Sequence, residues 1–153
     1  MIQRKIKMLS VTVKNKISFP EINFQDDLRY IASRVFIPRL QQYIDAQISV
    51  NESPLPPIEP KTIAAKLRKG LSPKILTATG KLRSSLYSFD RGKRTVVISI
   101  AGDRKEIGGY LQIEGIKTRL GRKYFNFFGI SSRMEKDAMS YMRAKIQKAL
   151  KNG

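Results

Sequence analysis

Tyr87-Ser88-Phe89-Asp90-Arg91-Gly92-Lys93-Arg94-Thr95-Val96-Val97-Ile98-Ser99-Ile100-Ala101 is the stretch whose reading decides the fold. Aromatic and β-branched side chains dominate residues 87–90 and 95–101, and such side chains suit a pleated, half-buried surface. Arg91-Gly92-Lys93 supplies the turn between them, so the spacing predicts a β-hairpin, the best in the chain. A weaker period-two pattern lies upstream, where Val11 and Val13, then Ile17 and Phe19, flank Lys14-Asn15-Lys16. It predicts a small hairpin or two short strands within residues 6–19.

Two long helical patterns bracket these strands. Asn23 or Gln25 opens the first, with Asp26 and Asp27 in the first turn, where negative charge favours the helix dipole. Leu28, Ile31, Val35, Leu40, Ile44 and Ile48 follow at near-helical spacing, and Pro38 predicts a kink or break because it lacks a backbone donor and restricts Ile37. At the other end, Ser132 with Glu135 predicts a capping box. Met134, Ala138, Tyr141, Met142, Ile146 and Ala149 form the apolar stripe of that helix, and Lys148 and Lys151 suit its C-terminal end.

Between the helices the chain alternates connectors and short elements. Residues 51–60 carry four prolines and read as a stiff, exposed connector. Residues 61–69 predict a short basic helix with Ile63 and Leu67 on one side and Gly70 as its stop. Residues 71–74 read as an exposed loop. A short helix is expected after Gly80, capped by Thr77 or Thr79, with Leu82 and Leu86 as its buried edge. Residues 116–122, basic and bounded by glycines, predict an extended arm or long hairpin loop. Residues 124–131 predict an aromatic strand held in the core; stacking on unpaired bases is the alternative use of aromatics interleaved with basic residues. These elements amount to one α+β domain over residues 1–153, a small antiparallel sheet with long N-terminal and C-terminal helices packed on it and basic loops at 51–61 and 115–123.

Composition narrows the chemistry. With neither cysteine nor histidine in 153 residues, disulfides, thiolate metal sites, a cysteine nucleophile and the commonest neutral-pH base are all excluded. The apolar runs are far shorter than the roughly 20 residues of a membrane helix. Met8 to Val13 is interrupted by polar residues, so no cleavable leader is expected at the N-terminus. Gly80-Lys81 invites a phosphate-loop reading, but that loop needs a glycine at position 75 and a Ser or Thr at position 82, where Ile75 and Leu82 stand. The carboxylates form no metal-nuclease pattern, although Asp90, Asp103 and Glu106 gather around the hairpin in sequence. No catalytic residue, cofactor or metal is expected, and the chain does not read as an enzyme.

Thirty Lys and Arg against twelve Asp and Glu give a formal charge of +18. Between positions 61 and 94 there are ten bases and a single acid, Asp90. A field of this kind favours a polyanion, either nucleic acid or an acidic protein surface. No helix-turn-helix, zinc finger or RNP-type signature accompanies it, so a nucleic-acid role would be nonspecific.

Several segments, taken in order, resemble the phage virion morphogenesis (tail completion) family. They are the proline-rich lead Leu55-Pro56-Pro57-Ile58-Glu59-Pro60-Lys61-Thr62, the helix ending at Gly70, Leu76-Thr77-Ala78-Thr79-Gly80-Lys81-Leu82-Arg83-Ser84 and the later Phe128-Gly129-Ile130-Ser131. The resemblance covers residues 55–150. It departs from the family pattern in having no histidine within 107–115, where it implies a short helix packed behind the sheet. It also lacks the usual proline-flanked arginine ahead of Phe127. It implies a structural phage protein of the virion, assembled in the bacterial cytoplasm, that completes the tail end or neck and helps join tail to head as part of a homo-oligomeric ring. Its partners would be tail-tube and head–tail connector proteins, with nonspecific contact to packaged DNA and none to membrane; the alternative is a nonspecific basic nucleic-acid-binding protein. The candidate contacts are the 54–60 loop, Lys61, Lys66, Arg68 and Lys69 on the basic helix, and Lys117, Arg119, Arg122 and Lys123 on the arm.

Overall fold

A computed structural model describes residues 11–14, 24–109, 111–112, 115–119 and 121–152. Strands β1 (Val11–Lys14), β2 (Leu86–Asp90) and β3 (Thr95–Ile100) form an antiparallel sheet in the order β1-β3-β2. The predicted hairpin is β2–β3, with Leu86 opposite Ile100 and Phe89 opposite Val97. Of the hairpin expected within 6–19, Val11–Lys14 forms a strand that pairs with β3, Val11 opposite Ile98, and the rest lies outside the described residues. The central position of β3 explains its run of buried residues from Val96 to Ile100, since a strand paired on both sides and covered on its faces has no reason to alternate.

The first long helix is one rod in three parts: α1 (Gln25–Tyr30), a wider π-helical stretch (Ile31–Phe36) and α2 (Ile37–Ala46). The break expected at Pro38 is instead this change of helical register. Ile37 N–H reaches back five residues to the Ala32 carbonyl, just before the proline that has no N–H to offer. The wider turn also aligns the core face. Leu28, Ala32, Phe36, Leu40 and Ile44 are all buried at intervals of four, a spacing that drifts about 40° per step around an ordinary α-helix. The helix stops at Ala46, two residues short of Ile48, where Gln47 takes a left-handed conformation.

The connector expected at 51–60 is mostly exposed, as its prolines predict, and is anchored at Leu55 and through the preceding residues 48–50. Ile48 bridges Pro54, Leu55 N–H bonds to the Gln47 carbonyl, Val50 N–H bonds to the Asn126 carbonyl, and Val50 and Leu55 are buried. Helix α3 (Pro60–Arg68) follows, as predicted, and ends before Gly70, but Leu67 stays 57 % exposed. Helix α4 (Lys81–Ser84) is a single turn, shorter than expected, because Leu86 already belongs to β2. Gly80, at φ +71°, turns the chain into it, and of the two expected caps Thr79 reaches it, its Oγ1 accepting the Lys81 N–H at 3.5 Å.

Helix α5 (Arg104–Gly109) packs against β3 and starts ahead of the 107–115 segment where the resemblance implies a short helix; part of that segment lies outside the described residues. Gly108 packs so closely that a Cβ there would sit 3.1 Å from Ile100 Cδ1 and 3.2 Å from Phe127 Cζ. The glycine pair at 108–109 thus serves packing. The arm at 116–122 is a hairpin, β4 (Ile116–Thr118) with β5 (Gly121–Lys123). Residues 124–131 are irregular, which corrects the predicted aromatic strand, yet Phe125, Phe127 and Phe128 are each no more than 3 % exposed. Full burial of such a side chain contributes roughly 1.5–3 kcal/mol, and rings this deep cannot stack on bases, so the core role holds.

Helix α6 (Ser132–Asn152) starts where predicted, but its cap is Ser131, not Ser132. Ser131 Oγ accepts the Met134 N–H at 3.1 Å, and its carbonyl accepts the Glu135 N–H. Met134 is fully buried and Ala138, Tyr141 and Met142 pack against the core. The stripe weakens beyond them: Ile146 is half-buried and Ala149 exposed.

Candidate functional site

Three short segments that sequence separates meet on one side of the domain. Thr62 and Lys66, four apart on α3, share one face, and Ile58 in the extended lead ahead of the helix lines the same side. Along α5 and just beyond it, Arg104, Ile107 and Leu111 do the same at spacings of three and four. The two faces enclose a cleft of about 240 Å³, whose floor is Leu82 and Phe125 and whose end wall comes from the loop 75–79.

A second cavity, of about 230 Å³, adjoins the first. Ile58, Thr62 and Phe125 line both, and Pro57, Glu59, Lys117, Thr118 and Lys123 complete the second. Lys123 fixes this end: its Nζ donates to the Pro57 carbonyl at 2.7 Å, tying the β4–β5 hairpin to the proline connector. The two adjoining cavities make a trench with Ile58 and Phe125 as their shared apolar lining, Lys66 and Arg104 in the first, and Lys117, Lys123 and Glu59 in the second.

The walls are held by side-chain amides used as strand partners. Gln47 donates through Nε2 to the Ile75 carbonyl at 2.9 Å and accepts the Ile75 N–H through Oε1, which fixes the loop beside the cleft. Gln112 does the same for Phe128, at 2.8 and 2.9 Å, and so anchors the irregular aromatic segment. Asp45 binds Arg83 through both carboxylate oxygens at 2.8–3.0 Å, and these hydrogen bonds hold the guanidinium's pKa above its ordinary value.

Electrostatics distinguishes the cations. Burial lowers the pKa of Lys66, whose ammonium donates to the Lys74 carbonyl at 2.8 Å. No carboxylate among the described residues pairs with it. Arg104 pairs with its neighbour Asp103 at 2.9 Å, while its Nε is buried without a hydrogen-bond partner. Of the eight cations singled out from sequence, Lys66, Lys117 and Lys123 line the trench. Lys61, Arg68 and Lys69 lie exposed on α3 outside it, and Arg119 and Arg122 lie exposed on the hairpin. Sequence reasoning missed Arg104; its spacing to Ile107 and Leu111 was the signal that could have found it.

Gly80 and Lys81 open a four-residue helix, with Thr79 Oγ1 3.5 Å from the Lys81 nitrogen. Asp90 is bound by Arg29 and Asp103 by Arg104, and no group of three or more acidic residues among the described residues could hold a metal ion. No described helix is long and apolar enough to cross a membrane.

No family model matches the chain, and no curated protein and no solved structure shows significant similarity to it.

Proposed function

We propose that this chain is a structural phage protein that completes the tail end or neck and helps join tail to head as part of a homo-oligomeric ring in the virion. The observation that carries the reading is the trench. The proline connector, the basic helix and the basic hairpin, each singled out for its sequence, form one continuous surface tied by the Lys123–Pro57 bond. A surface built from three separate segments around an apolar floor suits protein contact, where apolar burial supplies affinity and charge supplies steering. The resemblance of residues 55–150 to tail completion proteins supplies the assembly, and tube and connector proteins as partners.

The second reading, a nonspecific nucleic-acid-binding protein, is favoured by the +18 charge alone. Light scattering on the purified full chain at low and high salt separates the two. A ring of defined mass is expected. A monomer at every salt concentration that coats duplex DNA would overturn the assembly reading.

A further inference from the structure

The trench has a floor and two ends of different chemistry, and together they restrict what fits. Each cavity taken alone is smaller than the roughly 300 Å³ at which ordinary small-molecule pockets begin, so an elongated occupant that crosses both is the better match. The Lys66–Arg104 end is the under-compensated one: Lys66 has no carboxylate partner among the described residues, and Arg104, though paired with Asp103, keeps a buried Nε unbonded, whereas the Lys117–Lys123 end already holds Glu59. A desolvated cation beside an apolar wall is costly until an anion meets it. Ile107 is 41 % exposed at the mouth, an apolar side chain left for an occupant to cover.

We propose that the trench binds an extended segment of an acidic partner protein, with apolar side chains over the Ile58–Phe125 floor and carboxylates at the Lys66–Arg104 and Lys117–Lys123 ends. Duplex DNA fits the charges but leaves the apolar floor uncovered, and Phe125 is too deep to stack on a base. A second copy of this chain is a poor occupant because its thirty bases against twelve acids repel such a surface. The inference deepens the assembly reading and rests on it only for the source of the segment.

The test uses the full chain and a fluorescent six-residue peptide of alternating glutamate and leucine, followed by anisotropy. Saturable binding is expected. Peptides of glutamate with serine, and of glutamine with leucine, should each bind roughly tenfold or more weakly, since each loses one of the two interactions. Lys66→Gln and Ile107→Ser should weaken the parent peptide by about the same factor. If Lys66→Gln fails to fold by circular dichroism, the exposed Ile107→Ser and the control peptides still decide. Equal binding of the glutamate–serine peptide, or an unchanged affinity in Ile107→Ser, overturns the trench in favour of a general polyanion surface. Light scattering on the same samples keeps the two ideas apart: a ring that ignores the peptide sinks the trench alone, and a monomer that binds it sinks only the ring.

Discussion

Tyr43 Oη and Ser131 Oγ lie 2.8 Å apart in the core, joining the first long helix to the cap of the last one across 88 residues of chain. Tyr43 donates to Glu52 Oε1 at 3.1 Å, so Ser131 donates to Tyr43 and keeps a lone pair for the Met134 N–H. Ser131→Ala therefore removes a helix cap and strands a buried phenol oxygen, at a cost of about 1–3 kcal/mol. Ser132→Ala, on the exposed neighbour, should stay within about 0.5 kcal/mol. Urea unfolding of the two variants checks this, and the reverse order would restore Ser132 as the cap.

Gly115 carries the turn into the β4–β5 hairpin. It sits at φ +69°, and a Cβ there would meet the Lys123 carbonyl oxygen at 2.6 Å. Gly80 has a similar φ of +71° with open space around it. Gly80→Ala should cost about 1–2 kcal/mol from backbone strain alone, and Gly115→Ala more, because the clash is with backbone that cannot rotate away. Equal losses in denaturant unfolding would mean the hairpin gives way freely.

Arg29 clamps Asp90 at 2.9 and 3.1 Å, pinning α1 to the end of β2. These hydrogen bonds hold the Asp90 carboxyl below the usual carboxylate range. The folded state therefore favours the ionised form. Its contribution is full above the unfolded pKa of about 3.9 and disappears as pH falls through the lower folded value. The melting difference between the native chain and Asp90→Asn should be constant near neutrality and shrink in acid. A difference that persisted in strong acid would assign the loss to something other than this pair.

Replacing Lys117, Arg119, Arg122 and Lys123 together by Ser should leave the fold standing. All four belong to the β4–β5 hairpin; Lys117, Arg119 and Arg122 are exposed charges that contribute no more than about 1 kcal/mol each, and the half-buried Lys123 gives up its bond to the Pro57 carbonyl. Incorporation into tails should fall, since the end of the trench that would meet an acidic partner loses its cations. A collapsed circular-dichroism melt would show the hairpin to be core, and intact assembly in a folded variant would remove it from the interface.

Contact with nucleic acid should be electrostatic only. With a charge of +18 and no base-reading element, binding to unrelated duplexes should be alike and fall steeply as salt rises. Filter binding across a salt series measures both, and a salt-resistant preference for one sequence would refute it.

The sequence by itself determined what local rules govern. The β2–β3 hairpin follows from the β-branched and aromatic runs on either side of Gly92, and α3 from the apolar spacing ahead of Gly70. The two long helices follow from their stripes, and the positive field from composition. Tertiary structure decided whatever depends on a partner distant in the chain. Ser131 outranks Ser132 as a cap because Tyr43 is there to receive its proton. The aromatic segment is buried without being a strand because Gln112 and Val50 satisfy its backbone in place of a ladder. Ahead of Pro38 the helix widens into a π stretch, which shifts the hydrogen-bond register and keeps the core face aligned. Lys66, Lys117 and Lys123 meet in one trench with Arg104, which no charge run pointed to, because α3 and α5 present their matching faces to the same floor. Backbone groups must be bonded somewhere once buried, and one-dimensional patterns do not say which distant side chain will supply the bond.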